Sequence, residues 1–188
     1  MSTNYSTALS HIVLAGTSIY CYICSKSIIN ARCSFAFILI NSLLGVWRWG
    51  NPSYGSNTDN MYRITTLIQD LFALPFIVST IWIQYGYTNE IALGNMIIPL
   101  VPLVIYFSNK NRISSDFADV ITIVNCGALS FLSYTYENYF GMSASLSYIV
   151  NHFWIKKNTE NYFDVPTQVL LNYATCFFAY FGLKAILN

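Results

Sequence analysis

The feature that most constrains this chain is a series of long apolar segments separated by short polar breaks. A helix needs about 20 apolar residues, within a range of about 17–25, to cross the hydrocarbon core of a bilayer. No break between the segments is long enough to hold a folded soluble domain. Seven predicted spans follow, at about residues 8–29, 33–49, 64–85, 91–107, 117–136, 139–155 and 169–187.

Composition indicates lipid as the solvent around these segments. Only 9% of the 188 residues are charged, and 55% are hydrophobic, whereas an ordinary soluble domain carries roughly 25% charged residues. We therefore predict an all-α, multi-pass transmembrane helical bundle, with residues 1–188 forming one integral membrane domain. The expected partners are the lipid bilayer and other membrane proteins. A net charge of +1 with scattered cations gives no basic surface for nucleic acid.

The sixth segment, 139–155, is the weakest of the predicted spans. Its run GMSASLSYIVNHFWI is short and rich in serine. A polar segment survives at membrane depth only where protein surrounds it. The segment therefore either crosses fully, which gives seven spans, or forms a re-entrant piece, which gives six.

Short connections and prolines predict how neighbouring spans are arranged. The connections near 86–90 and 137–138 are so short that spans three and four, and spans five and six, should form antiparallel hairpins. Pro75, Pro99 and Pro102 fall within spans and should kink them. Two prolines three residues apart make the fourth span the most bent.

Lysine and arginine in short loops predict the orientation of the bundle, because cytoplasmic loops carry an excess of these residues. The side of the N-terminus has this excess, so we expect the N-terminus to be cytoplasmic, in the endoplasmic reticulum or another endomembrane. The sequon Asn4-Tyr5-Ser6 should then remain unglycosylated. The cations of this side are Arg48, Arg63, Lys110, Arg112, Lys156 and Lys157, against Lys26, Arg32 and Lys184 on the other.

Asp70 is the strongest candidate for a functional residue, because acids within a span are costly and usually paired or functional. It lies six residues inside the third span, which places it roughly 9 Å from the predicted cytoplasmic edge. Arg48 and Arg63 flank spans on the same side, so we expect one of them to pair with it. Asp119, two residues inside the fifth span, is interpreted as an interfacial acid at a helix start.

His152 is the second candidate, and it falls in the same half of the membrane as Asp70. An Asp–His pair can relay protons or position a water for hydrolysis, so these two residues are the candidate catalytic groups. Alternatively, polar residues can line a transport path, for which the candidates are Asp70, Asn95, Asn125 and Glu137. No cofactor is expected, and no metal, since Cys21 and Cys24 have no second ligand pair.

The last forty-odd residues, from GMSASLSYIVNHFWIKK to NYATCFFAYFGLKAI, resemble the closing pair of helices in the lysoplasmalogenase-like membrane hydrolases. In that family a run of small residues precedes an acid in the middle of a span. Here Asn151 and His152 stand where the acid is expected, and the resemblance covers a quarter of the chain. It implies an intramembrane lipid hydrolase as one alternative.

The sequence contains no HExxH, GxSxG or P-loop motif. The prediction is therefore a non-enzymatic role, through packing with lipid or membrane partners. A small solute or proton-coupled transporter and a lipid hydrolase are the two alternatives.

Overall fold

The computed structural model describes residues 5–108, 115–157 and 165–188. The predicted loop cations Lys110 and Arg112 and the sequon residue Asn4 lie outside the described residues. The all-α prediction is confirmed. The described helices are α1 (Tyr5–Cys24), α2 (Ile29–Gly50), α3 (Ser56–Gln84), α4 (Asn89–Ile97), α5 (Leu100–Ser108), α6 (Ser115–Thr135), α7 (Tyr139–Ile149), a π-turn (Val150–Ile155) and α8 (Thr167–Leu187).

In the described ranges, six helical segments are long and apolar enough to cross a membrane, with α4 and α5 together counted as one. The chain is therefore an integral membrane protein. The remaining predicted span corresponds to α7 and the π-turn. Asn138, just before α7, donates to the Ala185 carbonyl near the end of α8, while His152 contacts Asp119 near the start of α6. This segment reaches from one end of the bundle to the other, which favours full crossing over a re-entrant piece.

The largest difference from the predicted boundaries is at α3, which begins at Ser56 rather than near residue 64. Its 29 residues extend about 43 Å, more than the roughly 30 Å hydrocarbon core. The first turns can therefore remain polar beyond the apolar layer. Asp59 lies in the first turn, where the helix dipole favours an acid, and it pairs with Arg48 at 2.6 Å.

The predicted hairpins agree with the packing of α3 against α4 and of α6 against α7, and the fourth span, predicted to be the most bent, is interrupted. The turn after α3 contains Gly86 at φ 81°, and the turn before α7 contains Glu137 at φ 54°. The fourth span is interrupted, since α4 ends at Ile97 and α5 begins at Leu100. In contrast, α3 continues as one helix through Pro75.

Helix α3 lies at the centre of the bundle, where side chains from three other helices donate to its backbone carbonyls around Pro75. These bonds tie α2, α4 and α7 to one stretch of α3, and the apolar core packs around them. The bonds are Tyr148 Oη to the Asp70 carbonyl (3.0 Å), Ser34 Oγ to Ala73 (2.7 Å) and Asn95 Nδ2 to Pro75 (3.2 Å). The largest core side chains include Phe35, Ile38, Leu74, Ile77, Leu129, Phe178 and Leu183.

Candidate functional site

A polar cavity of about 60 Å³ opens at the end of the bundle where α2 and the π-turn finish and α3 and α8 begin. A buried water needs at least about 10–15 Å³ of such space, so the cavity has room for about four waters. Its polar lining comes from four parts of the chain: Asn41 of α2; Thr66, Gln69 and Asp70 of α3; Tyr148, Asn151, His152 and Lys156 in and around the π-turn; and Gln168, Asn172 and Thr175 of α8.

The cavity extends from the end of the bundle towards the middle of the membrane. Along α8 its lining runs from Gln168 to Phe178, which is about 15 Å of helix. Ala73, Tyr148 and Phe178 are the deepest lining residues on their helices, and all three are buried. The cavity thus reaches about half the depth of a roughly 30 Å core.

The wall formed by α2 and α3 is held by the Asn41 side-chain amide. Its Nδ2 donates to Gln69 Oε1 at 2.9 Å, and its Oδ1 accepts from the hydroxyls of Thr65 and Thr66. Thr66, Gln69 and Asp70 face the cavity together because residues three and four apart share one side of a helix. The network therefore fixes the face of α3 that carries Asp70.

The π-turn forms the opposite wall. The Lys156 N–H donates to the carbonyl of Asn151, five residues back, at 3.0 Å. This wider turn places both Asn151 and His152 on the cavity, where Asn151 donates to Thr175 Oγ1 at 2.9 Å. Single π-turns within α-helices occur frequently at functional sites. The π-turn and the charged residues therefore indicate the same candidate site.

Asp70 pairs with Lys156, at 2.7 Å between Oδ2 and Nζ. The Asp70 carboxylate raises the pKa of Lys156 above its ordinary value, so the ammonium is charged at neutral pH. The Lys156 side chain is 42% exposed, so the pair contributes only about 0–1 kcal/mol to stability. The pair neutralises an acid that would otherwise be costly within the membrane.

The expected pairing of Asp70 with Arg48 or Arg63 is therefore wrong. Arg48 bonds Asp59, and its guanidinium lies over the ring of Tyr62, 4.7 Å from the centroid. Arg63 instead lines a separate surface groove. Asp70 pairs with Lys156 instead because the π-turn lies beside the face of α3 that carries Asp70 and brings Lys156 within reach.

Asp119 and His152 form a second charged group at this end. The Asp119 carboxylate contacts His152 Nε2 at 2.8 Å through Oδ1 and Lys157 Nζ at 2.6 Å through Oδ2. The interpretation of Asp119 as a simple helix-start acid therefore missed its bond to His152 of the π-turn. His152 is buried and is held in a fixed orientation by this contact.

The structure brings the two candidate catalytic residues together, because Asp70 and His152 line the same cavity. Chemically, the arrangement can hold waters, bind a small polar ligand and exchange protons among a carboxylate, an imidazole and an ammonium. Within the described residues, no three His, Cys, Asp or Glu side chains come together as a metal-ligand set.

The four residues predicted for a transport path lie in three different places. Asp70 lines the cavity, whereas Asn95 donates to Asn125 Oδ1 at 2.9 Å in a separate buried cluster. Glu137 is exposed in the turn between α6 and α7, at the other end of the bundle. These residues therefore do not line one common path.

Sequence reasoning missed Lys156 and Lys157, which it used only to predict orientation. A signal was present, because Lys156 follows His152 by four residues, a spacing that places two side chains on the same side of a helix. No sequence signal indicated that Asn41 and Thr175 line the cavity, since this depends on which helices are neighbours.

Neither a family model, nor a curated protein, nor a solved structure matches this chain.

Proposed function

We propose that this integral membrane protein has a non-enzymatic role and acts by packing against another membrane protein at the break between α4 and α5. The observation that carries the proposal is the break in this span between Ile97 and Leu100. Only 22% of the apolar stretch formed by α4 and α5 is buried, compared with 56% for α3 and for α8. The most interrupted span is therefore also the least covered.

A break of this kind needs cover because lipid cannot hydrogen-bond to the backbone. Pro99 has no N–H to donate to the carbonyl of Asn95, four residues back. Ile98, at the break, lies about 14 Å from the start of α4, near the middle of the membrane, and is 55% exposed. Ile98 itself keeps helical backbone angles and donates to the Gly94 carbonyl, so the group that loses its helical donor is the Asn95 carbonyl. Such a group is tolerated at that depth where protein surrounds it. A helix from another membrane protein supplies that cover.

Oxygen accessibility of a spin label tests the proposal. The label is placed at Ile97→Cys, in a background whose five native cysteines are alanine. In discs cut from native membranes we expect low oxygen accessibility, because a partner covers the site. After purification and reconstitution at one copy per liposome, accessibility should rise.

Ile123→Cys on α6 is the matched control, because Ile97 and Ile123 are 56% and 58% exposed in the isolated chain. A spin label at this position should show the high oxygen accessibility of a lipid-exposed site in both preparations. Equal and high accessibility at the two positions in native discs would contradict the partner-binding role.

The cavity favours a second candidate, which is proton-coupled transport. Asp70 and His152 line this cavity, which extends from one end of the bundle towards the membrane centre. Liposomes containing the protein and a trapped pH dye should then dissipate an imposed pH gradient, and Asp70→Asn should abolish this flux. Asp59→Asn, which removes an acid outside the cavity, should leave it intact. Flux no faster than in protein-free liposomes would exclude the transporter.

The lipid hydrolase alternative has less support from the geometry. Asp70 and His152 do share a cavity, but its volume of about 60 Å³ is small, since pockets for drug-sized ligands occupy roughly 300–1,000 Å³. Release of product from a lysophospholipid by the purified protein, lost in His152→Ala, would nevertheless establish the hydrolase and overturn the non-enzymatic role.

The proposed orientation keeps the N-terminus and the cavity on the cytoplasmic side of an endomembrane such as the endoplasmic reticulum. The excess of Lys and Arg on that side supports it. Fluorescent tagging tests the compartment. A glycan on Asn4 would refute the orientation.

A further inference from the structure

A groove of about 300 Å³ lies between α3 and α5 at the same end of the bundle as the cavity. Asn60, Arg63 and Ile64 of α3 face it together, because they are three and four residues apart. Tyr106 and Phe107, in the last turn of α5, form the other wall. The groove has a polar part, from Asn60, Arg63 and Tyr106, and an apolar part, from Ile64 and Phe107.

The packing of α5 explains why the groove is open here. Leu103 of α5 and Leu67 of α3 pack against the same small apolar cluster, about one turn deeper in the membrane. Beyond that cluster Phe107 is 58% exposed. The groove therefore has an exposed apolar wall in the last turn of α5.

Arg63 differs from the other described cations at this end in forming no ion pair with a described carboxylate. At this end Arg48 pairs with Asp59, Lys156 with Asp70 and Lys157 with Asp119. Among the residues that the structure describes, no carboxylate lies within salt-bridge distance of Arg63, and its side chain is exposed. An anion from outside the chain can therefore neutralise it.

We propose that this groove binds the headgroup of an anionic phospholipid, with the phosphate on Arg63 and the first part of an acyl chain against Ile64 and Phe107. A guanidinium donates two parallel hydrogen bonds to a phosphate, and basic pockets between spans on the cytoplasmic side hold anionic headgroups. The exposed apolar wall beside Arg63 favours a lipid over a soluble phosphate, which has no apolar part to place there.

Native mass spectrometry of the full chain in detergent tests this site. The probes are phosphatidylserine and phosphatidylcholine with identical acyl chains. We expect one phosphatidylserine to bind at least about fivefold more tightly than phosphatidylcholine, since a basic residue near the surface contributes about 1 kcal/mol towards anionic lipid. Arg63→Gln should remove this preference, and Arg63→Lys should retain part of it.

Lys26→Gln is the matched control, since it removes an exposed cation at the other end and should leave the preference unchanged. A thermal unfolding curve like that of the unaltered protein establishes that Arg63→Gln is folded. An unchanged preference in Arg63→Gln, or none in the unaltered protein, would overturn the proposal. Displacement of the lipid by millimolar inorganic phosphate would assign the groove to a soluble phosphate ligand instead.

Discussion

The Asn95–Asn125 pair joins α4 to α6, and the Asp70–Lys156 pair joins α3 to the residue that follows the π-turn, but only the second pair lines a cavity. Asn95 and Asn125 are 8% and 4% exposed, and Asn95 also donates to Ser79 Oγ and the Pro75 carbonyl. The amide cluster is closed and neutral. The ionic cluster is open at one end of the bundle.

The difference teaches how this chain distributes polar groups by depth. Where the structure has no cavity, it uses neutral amides, whose hydrogen bonds are completed by neighbouring helices. Where a cavity admits water, it uses charges, because hydration and pairing reduce the cost of a carboxylate within a span. The first cluster holds the broken span in place, and the second keeps a polar space open.

The largest expected effect is on the rate at which a cysteine placed in each cluster reacts with a reagent from the water phase. In the cysteine-free background, Asn151→Cys in the cavity should react rapidly with Ag⁺ from the water phase. Asn95→Cys should react at least about a hundredfold more slowly, because access requires a local opening that costs several kcal/mol. The reaction is measured as loss of later maleimide labelling in denaturant. Similar rates at the two positions would mean that the amide cluster is also open to water.

The next effect is on stability. Asn125→Leu should lower the free energy of unfolding by about 1–2 kcal/mol, because it removes the acceptor of a buried interhelical bond. Reversible unfolding in mixed detergent micelles measures this change. Asn89→Leu, an exposed position at the start of α4, is the control and should change stability little. A loss as small as that of the control would remove the assigned structural role of the amide pair.

The smallest effect distinguishes the clusters by salt dependence. A double-mutant cycle of Asp70→Asn and Lys156→Gln should give a coupling energy of about 0–1 kcal/mol that falls as NaCl is raised, because a partly exposed ion pair is screened. The coupling between Asn95→Leu and Asn125→Leu should not change with salt. A salt-independent coupling for Asp70 and Lys156 would show that the pair is closed off from water.

The sequence predicted the spans well because the hydrocarbon core sets their length, and the prolines marked the break before Leu100. It also predicted that Asp70 is paired and that His152 lies in the same half of the membrane. It could not predict Lys156 as the partner, since hydropathy gives the order of the spans but not which spans are lateral neighbours. Lys156 is 86 residues from Asp70 in the chain, and only the packing of the π-turn beside α3 joins them.

The π-turn is equivalent to one residue inserted into an otherwise regular helix. Removal of one residue from Val150–Ile155 would restore the ordinary i→i+4 pattern and rotate everything beyond it by about 100°. The segment would still be an apolar helix of nearly the same length, so the protein could still insert and pack. The residues after the deletion would nevertheless face other directions, so Lys156 would no longer reach Asp70. A change of one residue in the length of this segment would therefore leave the helical bundle in place but remove the Asp70–Lys156 pair from its cavity.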